Sequence, residues 1–332
     1  ATVTLGSLAA TYDGSPQSVT ATTDPTGLTV VVTYEGSTTA PTNAGSYAVE
    51  AIVDDANYTG SATGTLVIDP ATATVTLGSL AATYDGSAQA VTATTDPTGL
   101  SLVVTYDSSA TAPTDAGSYA VEAIVDDANY TGSATGTLVV TPANAIVTLG
   151  SIAATYDDSP QPVTATTDPG GLTVVVTYGG SASAPTDAGS YTVEAVIDDT
   201  NYTGSATGIL VITPATATVT LGSLAATYDG SPQSATATTD PAGLTVVVTY
   251  DGSATAPTGA GSYAVEAVSN DANYTGSATG TLVIAPASAT VTLGNLTATY
   301  DGSPQPVTAT TDPTGLSLVV TYDSSATAPT DA

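Results

Sequence analysis

No Lys, Arg, His, Cys, Met, Trp or Phe occurs in the 332 residues, although 30 Asp and Glu do. Each absence closes a class of chemistry. Without His there is no Ser-His-Asp triad and no imidazole metal site. Without Cys there is no disulfide, thiolate nucleophile or zinc-thiolate centre. Without Lys there is no Schiff base and no Lys–Asn isopeptide cross-link. With no cationic side chain, nothing neutralises phosphates, which argues against nucleic acid as a partner and against anionic membrane surfaces. The missing Met marks a processed chain or a piece of a longer one. No basic, apolar signal segment opens it at "ATVTL", and no apolar run reaches the ~18 residues of a membrane span.

What is present is small and β-branched: Ala, Thr, Val, Gly and Ser. A polar, strongly charged chain can be disordered. Here 42% of residues are hydrophobic and they alternate regularly, which favours a folded chain.

The alternation is nested in a longer repeat. Tyr12, Tyr84, Tyr156, Tyr228 and Tyr300 are spaced by 72 residues, and "ATVTL" or "AIVTL" opens at Ala1, Ala73, Ala145, Ala217 and Ala289. The expected domains are therefore 1–72, 73–144, 145–216, 217–288 and an incomplete fifth at 289–332. Within a copy the period is two. Leu100, Leu102, Val104 and Tyr106 alternate with Ser101, Val103 and Thr105; Tyr119, Val121, Ala123 and Val125 alternate with Ala120, Glu122 and Ile124. That is a strand pattern, and the Val, Thr and Tyr content agrees. "YDGS", "DPTG", "APTDAG" and "NYTG" separate the runs with turn-forming residues. Six or seven strands per copy suit a sandwich.

A unit of this size has a marginal core. With Phe and Trp absent, the four Tyr of each complete copy (Tyr12, Tyr34, Tyr47 and Tyr58 in the first) are expected to fill most of the large core volume. Each linker carries Pro at the same place, as in "DPAT" at 69–72 and "TPAN" at 141–144. Short Pro linkers limit bending, so the expectation is an elongated, semi-rigid rod.

Tyr12-Asp13-Gly14, Ala44-Gly45-Ser46-Tyr47 and Asn57-Tyr58-Thr59-Gly60, followed by Gly64-Thr65-Leu66-Val67-Ile68, recur in order and spacing in every complete copy with small departures, such as Asp158 where the other copies have Gly. This set resembles the mostly bacterial immunoglobulin-like (MBG) repeats of large bacterial surface proteins. The resemblance covers essentially the whole chain. It implies an all-β fold, tandem immunoglobulin-like β-sandwich repeats, and a non-catalytic extracellular stalk, spacer or fibre segment at a cell surface. The alternative is a multivalent adhesin module binding glycans or partner proteins through repeated patches. The implied partners are further repeats of the same parent chain or neighbouring fibre subunits, and no membrane insertion is expected. The family brings no catalytic residues. An enzyme, such as a glycoside hydrolase with two carboxylates, is disfavoured because no acid pair is suitably placed.

Four candidate sites recur. Tyr47, Tyr119, Tyr191 and Tyr263 follow "AGS" and stand two residues before the place of a disulfide Cys in an immunoglobulin sandwich, which Val121 holds in the second copy. A core corner is favoured over a binding site, because Tyr119 shares a face with Val121 and Ala123. The fourth copy has Gly259 where Asp115 and Asp187 stand, so an acid there is not an essential ligand. The pairs Asp54-Asp55, Asp126-Asp127 and Asp198-Asp199 offer oxygens for Ca²⁺, though adjacent strand residues face opposite ways. A solvated turn is the simpler reading, and no cofactor beyond such a Ca²⁺ is expected. Asn57, Asn129, Asn201, Asn273 and Asn295 lie in glycosylation sequons, against the simpler role of starting a turn. Gln17 and its counterparts are weak candidates for Thr–Gln ester cross-links, which lack an acid–base residue here.

Overall fold

The computed structural model describes residues 1–331. Among them every regular element is a strand; no helix occurs. By contact the chain separates into two compact units. One comprises Ala1–Gly150, Val163–Ala182 and Val193–Gly208; the other comprises Ser151–Pro162, Ser183–Thr192 and the described residues from Ile209 on.

The first copy shows how the pattern folds. Its strands are β1 (Thr2–Leu5), β2 (Ala9–Thr11), β3 (Ala21–Asp24), β4 (Val30–Tyr34), β5 (Gly45–Val53) and β6 (Ser61–Asp69), followed by the linker strand β7 (Ala71–Thr72). A four-stranded sheet runs in the order β2-β6-β5-β4, with β2 parallel to β6 and the other pairs antiparallel. The second sheet is the antiparallel pair β1-β3. The fold is an immunoglobulin-like sandwich, repeated in tandem. The same sheets form in the second and fourth copies. In the third, Ala153–Thr155 runs parallel to Val211–Thr213, and Val174–Tyr178 pairs with Val193–Ile197. Residues 290–294 and 308–312 make one antiparallel pair.

Period-two alternation puts one face of β5 and β6 between the sheets. Val49, Ala51, Val53, Leu66 and Ile68 are buried there, with Val3 and Val19 from across the sandwich. The core differs from the tyrosine-filled one expected. Only Tyr34 is buried; Tyr12 and Tyr47 pack at its margin, and Tyr58 is 44% exposed. Aliphatic side chains carry the volume, and the buried tyrosine has a polar task instead. The Tyr34 hydroxyl accepts the Val19 N–H at 2.6 Å, and Tyr106, Tyr178 and Tyr250 do the same for residues 91, 163 and 235. A chain that loops into the core thereby keeps its amide satisfied. Ser269 departs from the pattern. It occupies the place of Val53, Val125 and Ile197, and its buried hydroxyl has no partner.

The linkers are not free spacers. Ala71–Thr72 forms a parallel ladder with Tyr130–Thr131 of the next copy, and Ala143–Asn144 and Ala215–Thr216 repeat it with 202–203 and 274–275. Pro stands just before each ladder, where no amide is needed, and hydrogen bonds fasten the rest.

Candidate functional site: the corner, the acidic turn and the seam

In the corner, the Tyr47 hydroxyl donates to the carbonyl of Asn43 at 2.9 Å. Tyr119 does so to Asp115, Tyr191 to Asp187 and Tyr263 to Gly259. The acceptor is main chain, so Gly259 serves as well as an acid. Val49, Val121, Val193 and Val265, two residues on, are all buried.

In the acidic turn, Asp55 Oδ1 accepts the backbone N–H groups of Asn57 and Tyr58 at 2.8 and 3.2 Å. Asp127, Asp199 and Asp271 close the same turn. This is the local side-chain-to-backbone bond that Asp favours. Asp54, Asp126 and Asp198 are exposed beside it. Nowhere among the described residues do three or more acids gather as a metal-binding group. The Gly closing "NYTG" is a steric requirement: a Cβ on Gly132 would lie 2.2 Å from the Ala73 carbonyl oxygen.

The turn presents its Asn and Tyr to the preceding copy, and this joint was not legible in the sequence. Asn201 Oδ1 accepts the N–H of Ala116 at 2.7 Å, while its Nδ2 donates to Asp115 Oδ1 at 3.1 Å. Asn273 repeats both bonds with Ala188 and Asp187 at 2.7 and 3.0 Å. Asn129 bonds Ala44 at 2.9 Å and, more loosely, Asn43 Oδ1 at 3.4 Å. The Tyr130 ring meets Tyr12 edge to face with centroids 5.3 Å apart; Tyr202 meets Tyr84 and Tyr274 meets Tyr156 at the same separation. Such geometry suits aromatic quadrupoles. With the linker ladder, these contacts form a seam from one copy's tip to the previous copy's corner. Of the five sequon asparagines, the seam engages the carboxamides of 129, 201 and 273; Asn57 and Asn295 are exposed. In the seam, burial first, then Tyr202 and nearby carboxylates raise the Tyr84 pKa. Tyr156 is raised chiefly by its hydrogen bond to Asp158 and then by burial.

A second acidic turn holds the recurring glutamine. Gln89 Nε2 donates to Asp85 Oδ1, as do the Ser87 hydroxyl and backbone N–H, and these donors hold the Asp85 pKa below its ordinary value, the Ser87 hydroxyl most. Ser159 and Gln161 depress Asp157 likewise. The glutamine amide here has a carboxylate as its partner.

One further set went unremarked in the sequence reading. Of the five Glu, Glu50, Glu122, Glu194 and Glu266 recur every 72 residues. Each lies on the exposed face of its sheet; Glu50 stands between Thr33 and Thr63 across neighbouring strands. A cleft of about 300 Å³ runs beside it, lined by Thr33, Glu35, Gly36, Ala48, Glu50 and Thr63, and the fourth copy has its counterpart.

The profile of the MBG domain matches residues 1–72, 73–144, 145–216, 217–288 and 289–332. The chain belongs to the MBG domain family. The resemblance read from the motifs is thus confirmed along its whole length. No curated protein matches this MBG chain. Among solved structures, it is similar to the immunoglobulin domains 1–5 of Sidekick-1 (13% identity, 84% of this chain and 78% of that one, TM-score 0.28). It is also similar to the ICAM-5 D1–D4 ectodomain fragment (13%, 85% and 99%, TM-score 0.31) and to domains 1–6 of the surface layer protein SbsC (14%, 75% and 46%, TM-score 0.19).

Proposed function

We propose that this MBG array is a non-catalytic stalk or spacer segment of a cell-surface protein, its 72-residue domains held in line to carry something else away from the surface. The observation that carries this reading is the seam. A binding module needs only a linker, whereas here the second, third and fourth repeats each spend an Asn-Tyr-Thr tip on the corner of the one before. Thirty carboxylates without a counter-charge fit an exposed place: they repel neighbouring molecules and disfavour aggregation at the sheet edges. Small-angle scattering tests the stalk. Strands of 7–9 residues give roughly 25–30 Å per repeat, hence a radius of gyration of ~35 Å for an extended array, against ~20 Å for a globule of this length. A value near the second would refute the stalk.

The cleft beside Glu50 and its counterpart at Glu266 favour a second reading, an adhesin module that engages a glycan or a protein once per repeat. Binding on a glycan array that is lost in Glu50→Ala/Glu122→Ala/Glu194→Ala/Glu266→Ala would select it over the spacer. The sequon reading is kept for the open Asn57 and Asn295.

A further inference from the structure

Each of the three seams carries a pair of tyrosine rings, one from each of two successive copies: Tyr12 with Tyr130, Tyr84 with Tyr202 and Tyr156 with Tyr274. The centroids stand 5.3 Å apart in all three, at interplanar angles of 80°, 77° and 78°, so the edge of one ring points at the face of the other. All six rings are half-buried, held by the seam yet reachable from solvent. The composition bears on what such pairs can do. Cys and Met, the side chains that oxidants ordinarily consume, are absent, and so are Trp and His. Tyrosine is left as the readily oxidised side chain, and these three are its ring contacts among the described residues.

We propose that the pairs are sites of oxidative cross-linking, where a one-electron oxidant driven by peroxide joins the two rings as dityrosine and makes the joint covalent. Each phenol loses one electron and its hydroxyl proton, leaving a radical whose unpaired spin lies partly on the Cε carbons. One Cε of each ring forms the new C–C bond. The hydrogens on those two carbons move as protons to the oxygens, which restores both phenols. Two electrons and two protons leave in all, and hydrogen peroxide takes them up as its O–O bond breaks to give two waters. The tyrosine χ2 torsion is soft, so turning one edge-on ring brings the Cε atoms together without moving the backbone. A covalent joint serves a stalk and an adhesin array alike.

The third pair has a further advantage. The Tyr156 hydroxyl donates to Asp158 Oδ1 at 3.0 Å. Asp158 is exposed and stands where Gly14, Gly86 and Gly230 stand in the other complete copies. A phenol that gives up an electron becomes a strong acid, and a carboxylate already on its proton accepts it in the same step. Tyr84, through burial first, and Tyr156, through the Asp158 bond first, have raised pKa values, so both are protonated at neutral pH and the proton leaves with the electron. Gly14 and Gly86 offer Tyr12 and Tyr84 no such acceptor, so water takes the proton there. The Tyr156–Tyr274 link should therefore form fastest.

Light, a tris-bipyridyl ruthenium photo-oxidant and persulfate supply the same one-electron oxidation to the full chain, kept dilute. Dityrosine fluorescence is expected, with a mass loss of two hydrogens per link and no dimer. Cleavage after Glu35, Glu50, Glu122, Glu194 and Glu266 puts the partners on different fragments, and the links should keep 1–35 joined to 123–194, 51–122 to 195–266 and 123–194 to 267–332. Tyr130→Phe, Tyr202→Phe and Tyr274→Phe retain the ring contact and should each delete one link and spare the other two. Asp158→Asn should slow the third link to the rate of the others. In urea the same oxidation should scatter links among the 18 tyrosines. A folded chain without dityrosine, links that join other fragments or separate molecules, or the same pattern in urea would overturn the proposal. A third link indifferent to Asp158→Asn overturns the role of that carboxylate.

Discussion

Replacing Asn201 with Ala removes both side-chain hydrogen bonds of one seam and leaves its main chain in place. The structure assigns two bonds to the loss: a 2.7 Å bond from the Ala116 N–H and a 3.1 Å bond to Asp115 Oδ1. A neutral bond is worth about 0.5–1.5 kcal/mol net and one to a charged group about 1.5–3. Asp115 is exposed, and solvent screening brings its bond down to about 1–1.5 kcal/mol, so the sum is about 1.5–3 kcal/mol. The reporter is the amide of Ala143, which donates to the Asn201 carbonyl at 2.8 Å, a bond the substitution spares. Its hydrogen-exchange protection measures opening of the joint and should fall roughly ten- to a hundredfold. The chain carries its own controls. Asn129→Ala, read at Ala71, should cost less, because its second bond is the longer 3.4 Å contact with neutral Asn43. Asn57→Ala removes the same side chain from an exposed tip and should cost under about 0.5 kcal/mol. Unchanged protection at Ala143 in Asn201→Ala, or equal costs for Asn57 and Asn201, would refute the assignment of the seam to these carboxamides.

Other perturbations have definite signs. Ser269→Val should stabilise the fourth repeat by about 1–3 kcal/mol in urea melts, by burying apolar surface where a hydroxyl now lacks a partner. Tyr106→Phe strands the Val91 N–H in the core and should cost about 1–3 kcal/mol by the same measurement. Acid should destabilise the second and third repeats through Asp85 and Asp157. Their folded pKa values lie below the unfolded one of ~3.9, so their contribution is complete above that value and is lost as pH falls through the folded pKa. Asp85→Asn should flatten that acid limb of the melting profile. Salt or millimolar Ca²⁺ should raise the melting temperature by screening the uncompensated carboxylates; a melt indifferent to both would count against repulsion as a destabilising term.

Much of the sandwich was legible because its determinants are local. Alternation along Gly117–Val125 sets which side chains enter the core, and the buried set Val121, Ala123 and Val125 follows from it. The 72-residue phase, unbroken, divides the chain. The seam was not legible, because Asn201 and Ala116 are 85 residues apart and no pattern near either names the other. The asparagines drew notice as sequons, a feature unrelated to their contacts. The tyrosines misled for a different reason. Composition shows how many large side chains exist, but not that Tyr130 would pack against Tyr12 of the copy before it. Ser269 and Glu50 went unremarked, although aligning the copies puts Ser269 in an otherwise apolar column and Glu50 among the recurrent glutamates.

The linker ladder has a mechanical consequence. Tension along the chain passes through every joint in series, so the weakest one yields first. Each of the first three joints rests on a two-residue ladder, an asparagine and a ring contact, whereas β5 and β6 pair over eight residues of register inside the domain. Pulled from its ends, the array should first release short lengths of slack, one per joint, and regain them on relaxation while every sandwich stays folded. The tips and corners would then act as a row of reversible shock absorbers.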